Sequence, residues 1–558
     1  MNVALLLLLA LLALAAGYLF YGKFLSNVLG IKPDRETPAH TMNDGVDYVP
    51  AGAPVLFGHH FASIAGAAPI IGPVTAALFG WVPVFLWILV GSIFMGGTLD
   101  MSSLVASLRH KGRSIGEIID ENIGISGKNL FLIFSLSTLI LVVAVFATIV
   151  AKTFENTPEA ATASILFIIL ALLFGQILYR WKLPLLPSTV VGVVLLFASI
   201  WAGVSYPIQM SESFWLILLF IYVFLASITP VWALLQPRDY LNSFLLYALL
   251  ISAVLGILIT RPEIQLPAFT GFNNEVLGPI FPLLFVTVAC GAISGFHSLV
   301  SSGTTAKQLN NEKNARVVAY GGMLTEGLLA IVALSTVAVL SGTIHAARLN
   351  DVGPVTLFSQ GVGNFLSSLG INVVVGTSFA ALAVSAFALT TLDTATRLGR
   401  YAFAELFEHF SDNRTQKEPT GWTQNRLTGT AFMVVISGVL AFSGQWQVIW
   451  PIFGSANQLL AALALLAVSI WLTRMGRRAL FTRIPMYFMF AVTLTALIKF
   501  TYDNIMRGQY FLGCLSFLLF VLAIVLLLLS YQSLRRNRSG HSPRPDSDDV
   551  DVVSTSEG

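Results

Sequence analysis

Apolar residues fall along the chain in blocks of about twenty, long enough to cross a bilayer core as helices. Short polar stretches separate them. Read as spans, the blocks lie near residues 3–22, 57–79, 82–106, 129–151, 162–179, 187–204, 214–231, 240–259, 279–299, 317–341, 371–396, 427–443, 448–472, 484–502 and 510–531. The pattern predicts an all-α polytopic membrane protein of about fifteen transmembrane helices. If the N-terminus lies outside, 26 of the 31 Lys and Arg residues fall on cytoplasmic segments. The other 5 are Lys152, Arg261, Arg348, Lys499 and Arg507. That asymmetry predicts an N-out, C-in orientation.

Composition agrees with this reading. The chain is 56% hydrophobic and 11% charged, whereas soluble domains average about 25% charged. The domain organisation follows from the spans. Residues 1–22 are expected to be an uncleaved first helix, because Lys23 follows the apolar run and no basic segment precedes it; a cleaved signal peptide is the alternative. Residues 23–56 read as a cytoplasmic loop in which Asp44, Gly45 and Asp47 supply turn chemistry. Residues 57–531 form the membrane domain, and 532–558 a disordered cytoplasmic tail. No Walker-type loop is present, so the chain by itself holds no nucleotide motor. Cys290 and Cys514 both lie in apolar runs and offer no disulfide or metal framework. No cofactor and no nucleic-acid partner are expected; the lipid bilayer is.

Two stretches depart from ordinary spans. Phe57–Gly80, FGHHFASIAGAAPIIGP and on, carries His59 and His60, four glycines, and Pro69 and Pro73. Each proline removes a backbone donor. Broken backbone survives at membrane depth only where protein or a water-filled cavity surrounds it. A discontinuous helix lining a solute path is the expectation. The run 285–309 is the second. Aligning Phe61 with Phe296 puts Ser63 on Ser298, with small residues following in both and His297 next to the match. Broken helices near 57–79 and 279–303, one running outward and the other inward, suggest an inverted repeat with the binding site between them.

Polar side chains inside the spans are candidate machinery. Asp100 lies in the cytoplasmic half of its span and shares a face with Ser103 and Ser107; pairing with Arg109 or Arg113 is the bland alternative. Glu326 stands ten residues beyond Arg316, about 15 Å along a helix, near the bilayer centre. There it needs a partner or a proton. Asp393 and Arg397 have the spacing of an ion pair along one helix face. Arg238 and Asp239, in a cytoplasmic break at 232–242, are expected to cap neighbouring helices. Asn457 and Gln458 beside Pro451 and Gly454 suggest a kinked helix whose amides bond solute or backbone.

GHHFASIAGAAPIIGP, GGTLDMSSLVASLRHKGRSIGEI, TLDTATRLGRY and FGSANQLLAALAL together resemble the carbon starvation protein A family, over about residues 20–530. The resemblance implies a multi-pass secondary transporter of the bacterial inner membrane, grouped with the LeuT-like (APC-type) transporters. It implies uptake of peptides or pyruvate during carbon starvation, with a coupling cation, a proton in the pyruvate case. A LeuT-like arrangement would place solute between the two broken helices, where helix N-termini attract a carboxylate.

On these grounds His59, His60, Ser63, Gly66, His297, Ser298, Asn457 and Gln458 are candidate solute ligands. Asp100, Glu326, Asp393 and Arg397 are candidates for proton or ion coupling. His59, Ser63 and Gly66 share one helical face, and His60 points away from it. Three readings of the histidines stay open: solute or proton relay, structural bonding, and a metal held by His59, His60 and His297. The last would make an intramembrane metalloenzyme, but the chain has no HExxH. A passive channel is a further alternative.

Overall fold

A computed structural model describes residues 2–407, 425–443 and 446–538. The expected tail, past Arg538, lies outside them. In chain order the main helices begin with α1 (Val3–Val28), the broken pair α2 (Ala53–Ile64) and α3 (Ala68–Phe79), and α4 (Trp81–Arg109). A short α5 (Ile115–Ile123) leads to α6 (Ile125–Asn156), α7 (Pro158–Arg180), α8 (Leu185–Ser205), α9 (Glu212–Ile228) and α10 (Leu235–Thr260). A second broken pair follows, α11 (Ile280–Thr287) and α12 (Gly295–Gly303), then α13 (Glu312–Ala338) and α14 (Gly342–Ser367). The chain continues with α15 (Val373–Phe407), α16 (Arg426–Phe442), α17 (Trp446–Arg474), α18 (Leu480–Met506) and α19 (Tyr510–Arg538).

Among the described residues, 11 helices are long and apolar enough to cross a membrane, or 12 spans if α2 and α3 count as one. The remaining expected spans fall on α9 and α16, apolar helices of 17 residues each, and on the pair α11–α12. Those two helices are about a turn short, and neither half of the broken pair is long enough alone.

The packing repeats itself within the chain. α10 packs on α2, and α17 packs on α12. α4 packs on α12, while α13 packs on α3. α5 lies on α6 and α14 on α15; α9 pairs with α16; α6 and α15 pack along each other through the centre. Two units, α2–α6 with α9–α10 and α11–α17, therefore share one packing scheme. α7 and α8 are an added hairpin in the first unit, and α1, α18 and α19 lie outside both.

Each unit opens with a broken helix, and the break is supported by side chains of other helices. α2 gives way to α3 at residues 65–67 with a bend of 46°. Pro69 falls in the first turn of α3, where a missing N–H costs nothing. The Ser63 carbonyl accepts from Thr391 Oγ1 at 3.1 Å. A Cβ on Gly66 would stand 2.6 Å from that hydroxyl and 2.8 Å from the Phe146 ring, so only glycine fits between α6 and α15 here. In the second break, residues 288–294, the Val288 carbonyl accepts from Trp87 Nε1 at 3.0 Å. The Phe285 carbonyl accepts from Gln458 Nε2 at 2.5 Å. The end of α11 and the second break meet the first half of α3: a Cβ on Gly72 would lie 2.6 Å from the Thr287 carbonyl oxygen, and one on Gly291 3.7 Å from Pro69 Cα.

The correspondence of the two stretches differs in register from the sequence alignment. Phe61 and Ser63 lie in α2, before the first break, whereas Phe296 and Ser298 lie in α12, after the second. Matching break to break places residues 65–67 opposite 288–294 instead. The FxS match was carried by small residues, which both breaks contain but at different offsets.

α12 and α17 touch at the backbone: a Cβ on Gly295 would overlap the Asn457 carbonyl oxygen and crowd the Ala461 nitrogen. Gly295→Ala is therefore expected to destabilise the protein by roughly 1–3 kcal/mol. Gly52→Ala, whose Cβ would meet only Pro54 at 4.0 Å, should be nearly neutral. Thermal melts in detergent compare them; equal melting temperatures would contradict the close approach.

Candidate functional site

Three ionisable side chains meet where α12 begins. His297, in the first turn of α12, has Nδ1 at 3.1 Å from Asp100 Oδ2 on α4. Its Nε2 lies 3.2 Å from Glu326 Oε2 on α13, close enough for an ion pair but not in hydrogen-bonding geometry. All three are fully buried. Asp100 thus pairs with His297, not with Arg109, which pairs with Glu312. Two wide π-helical turns, Gly91–Gly96 in α4 and Arg316–Tyr320 in α13, immediately precede the segments that carry Asp100 and Glu326. Such turns shift helix register, and they are frequent at functional sites.

Polar atoms without a hydrogen-bond partner surround this triad. Asp100 Oδ1, both Glu326 oxygens, Ser103 Oγ and Ser301 Oγ are buried and unbonded. Ser103 is one turn beyond Asp100, and Ser301 one turn beyond His297. His60 Nδ1 is 2.8 Å from Thr305 Oγ1, and its ring lies against Gly322, one turn from Glu326; its Nε2 has no partner. Buried polar atoms are nearly always paired, so this concentration makes the triad a candidate for taking up a proton or a polar solute.

The other candidates fall into two groups. Ser63 Oγ is 3.3 Å from Thr394 Oγ1 on α15. Ser298 Oγ donates back to the Gly295 carbonyl at 2.7 Å. Gly66 lies in the break, beyond the helical face it was expected to share with His59 and Ser63, yet it meets α15 as Ser63 does. Asn457 accepts the Phe296 N–H at 2.9 Å and donates to Ser294 Oγ at 3.0 Å. With Gln458 on Phe285, both amides of α17 hold backbone of the second broken helix. Asn457 also occupies one amide of the α12 N-terminus, which was expected to face solute.

A second buried cluster corrects the sequence reading. Asp393 does not pair with Arg397. It pairs with Arg238 of α10 and accepts from Tyr222 of α9 at 2.6 Å. Arg238 also bonds Asp239 at 3.1 Å, and Asp239 holds His59 Nδ1 at 2.7 Å. Arg397 instead donates to the Ala226 and Thr229 carbonyls at the end of α9. Arg238 and Asp239 cap nothing: α10 begins at Leu235, so both lie one turn inside a helix and are buried. Their location was missed because the apolar run starts only at Tyr240. Two charges just before such a run read as a loop unless their partners on other helices are known.

The three histidines each serve a different neighbour. His59 goes to Asp239, His60 to Thr305 and His297 to Asp100, so the imidazoles do not converge on a common point.

Just past α12 a polar cluster, the lock, joins the loop before α2 to α15. The Lys307 ammonium, just past α12, lies 4.4 Å from the Tyr401 ring centre and 5.3 Å from that of Tyr48. Asp47 accepts from the Tyr401 hydroxyl at 2.7 Å, and Arg397 approaches it at 3.6 Å. A cavity of about 30 Å³, room for one water, lies beside Lys307, Ser302 and Glu405. Burial alone would push the Asp47 carboxyl up, but the Lys307 ammonium, the Tyr401 hydroxyl and the Arg400 and Arg397 charges outweigh it and hold it below its ordinary value. Burial would push Lys307 down, but the Tyr401 and Tyr48 hydroxyls and the Asp47 and Glu405 carboxylates hold it above its ordinary value.

These features define a class: a polytopic helical membrane protein with two broken helices packed against each other and ionisable groups buried beside them. Two mutant structures of the Eremococcus coleocola manganese transporter share the fold, each with a TM-score of 0.50 over 89% of this chain and 99% of theirs, at 13% and 12% identity. The fold is therefore that of the LeuT-like transporters. The chain belongs to the carbon starvation protein CstA family, whose model matches residues 2–352 and 343–496. Among its relatives, the peptide transporter CstA of Escherichia coli K12 is 33% identical over 86% of this chain and 78% of its own length. The peptide transporter CstA of Bacillus subtilis 168 is 30% identical over 95% of this chain and 96% of its own length. The pyruvate/proton symporter BtsT of Escherichia coli K12 is 32% identical over 82% of this chain and 76% of its own length.

The lock has a definite pH signature. A depressed Asp47 contributes stability above its unfolded value, about 3.9, and loses it as pH falls through the folded value; a raised Lys307 contributes below its unfolded value, about 10.4, and loses it as pH rises through the folded one. Between those values neither Asp47 nor Lys307 changes charge. Lys307→Met is expected to lower stability at neutral pH by roughly 1–2 kcal/mol. An unchanged midpoint of thermal unfolding at neutral pH would contradict the pairing.

Proposed function

We propose that the chain is a secondary active transporter importing small carboxylate-bearing nutrients, peptides or pyruvate, by proton symport, with the proton carried by Asp100, His297 and Glu326. The observation that carries this reading is the one imidazole flanked by two buried carboxylates at the second break. With two protons the triad is neutral; with one it carries a net negative charge, which is costly in the interior. A solute carboxylate arriving nearby makes the singly protonated state costlier still. Solute and proton therefore favour each other's binding, and the linkage is reciprocal. That is the thermodynamic requirement of symport.

In this reading, solute lies between the two breaks, lined by His60, Ser63, Gly66 and Ser298, with Asn457 and Gln458 fixing the second break. About fifteen spans cross the bilayer, N-out and C-in, so that the Lys307–Asp47 lock faces the cytoplasm, where the positive residues concentrate. The names of the relatives favour transport over an intramembrane metalloenzyme, and the diverging histidines agree. Asp393 has a fixed partner in Arg238 and Arg397 caps α9, so neither is assigned to the solute.

Proteoliposomes loaded with the purified protein provide the test. Labelled pyruvate and a labelled dipeptide are offered separately under an inward proton gradient. Uphill accumulation of one of them, abolished by a protonophore, is expected; equilibration indifferent to the protonophore would mean a passive channel. Glu326→Gln should abolish uphill accumulation while leaving counterflow exchange of the same solute within a few-fold. Undiminished accumulation in that variant would remove Glu326 from the coupling.

A further inference from the structure

The Arg238 cluster takes no part in the triad just described, and its charges do not balance. Arg238 supplies one positive charge; Asp239 and Asp393 supply two negative ones. Asp393 accepts both the Tyr222 hydroxyl and the Arg238 guanidinium on Oδ2, and an adjacent guanidinium favours the ionised carboxylate. Every member is at most 1% exposed except Tyr222, which is partly buried. The fifth member is His59, whose Nδ1 contacts Asp239 at 2.7 Å and which is fully buried. A neutral imidazole leaves the cluster at −1; one proton on His59 brings it to zero. An unbalanced charge in a membrane interior costs several kcal/mol even after relaxation.

We propose that His59 is a second proton-binding site, separate from the Asp100–His297–Glu326 triad. The far side of the ring is built to accept either state. His59 Nε2 faces the Gln308 side-chain amide at 3.4 Å, Gln308 bonds Gln236 at 2.5 Å, and Gln236 accepts from the Tyr179 hydroxyl at 2.8 Å. With the Gln308 NH₂ turned toward the ring, Nε2 is an acceptor and His59 is neutral. With that amide turned end over end, its oxygen accepts an Nε2–H; Gln236 and the Tyr179 hydroxyl can reverse in step, each being both donor and acceptor. No bond in the chain is lost in either state.

The groups packed round His59 set its charge. α10 contributes Asp239 and Arg238, α15 contributes Asp393, and α9 contributes Tyr222 behind them. On its own helix His60 is adjacent, and its charged form would repel a charged His59. α12 contributes His297, beyond His60, and α13 presents Gly322 to His60 at this level. The site lies on α2, the first half of the first broken helix, and its counter-charge lies on α10. A movement of α2 away from α10 would part His59 from Asp239 and release the proton, so this site reports the position of α2 and the triad that of α12.

The experiment is ¹⁵N NMR of the full chain in lipid bilayers, with only histidine labelled and His59→Gln used to assign one of the 8 histidines. Both His59 nitrogens are expected to be protonated at pH 7. Asp393→Asn, which does not touch His59 but removes one negative charge from the cluster, should convert the signal to neutral imidazole at the same pH. A neutral His59 in the wild type at pH 7 would overturn the proposal, and this first measurement decides even if the variant does not fold. An imidazolium that persists unchanged in a folded Asp393→Asn would overturn the charge balance behind it. Neither readout involves solute uptake, so failure here is distinguishable from failure of the transport reading.

Discussion

Among the described residues, two helix pairs packed against each other are broken mid-course, and side chains of the surrounding helices answer backbone groups that those interruptions expose. In hydrocarbon a freed N–H or C=O has no water to turn to. Thr391 serves Ser63, Trp87 serves Val288, Gln458 serves Phe285 and Asn457 serves Phe296. The supporting side chains come from α15, α4 and α17, each packed against a broken helix. The interruptions thus hold surrounding helices in place as much as those helices hold them. The glycines belong to the same constraint: Gly72 and Gly295 let backbone approach backbone, and Gly66 leaves room for the Thr391 hydroxyl and the Phe146 ring.

The buried charges follow from this arrangement. A break provides irregular backbone, and ionisable groups collect beside it in two separate sets. One joins α4, α12 and α13 through His297. The other joins α2, α9, α10 and α15 through Arg238 and His59. In each set an imidazole stands on a broken helix and a carboxylate on a neighbouring one. Gain or loss of a proton in either set would therefore alter how strongly a broken helix is held to the rest of the bundle. The Lys307–Asp47–Tyr401 lock ties the segments flanking both broken helices to α15, so movement of either half must also undo it.

Much of the candidate site was legible as a set of odd residues. A His pair amid prolines, a mid-span Glu326, an Asp100 near two glycines and amides beside Pro451 all violate the rule that spans are apolar, and each proved to be interior. What failed was pairing. Asp393 and Arg397 have helical spacing, but their side chains bond to different helices, because Arg238 offers Asp393 a buried partner while α9 offers Arg397 free carbonyls. Asp100 likewise lay near two arginines in sequence and chose His297 from α12. Spacing along one helix states which residues share a face; it does not state which neighbour that face meets.

By itself the chain determined the medium and the scale of the fold. Runs of apolar residues, the distribution of Lys and Arg and the proline–glycine interruptions act locally, through the length of a span and the loss of backbone donors, and so they can be read in order. The tertiary structure alone decided the register of the two breaks against each other, the grouping of seven buried ionisable side chains into two clusters, and the turning of Asn457 and Gln458 toward backbone. These depend on contacts between segments more than a hundred residues apart, such as His59 with Asp239 and His297 with Asp100. The physical reason is that a buried charge is stabilised by whichever opposite charge packing brings within reach, and packing is a property of the whole chain.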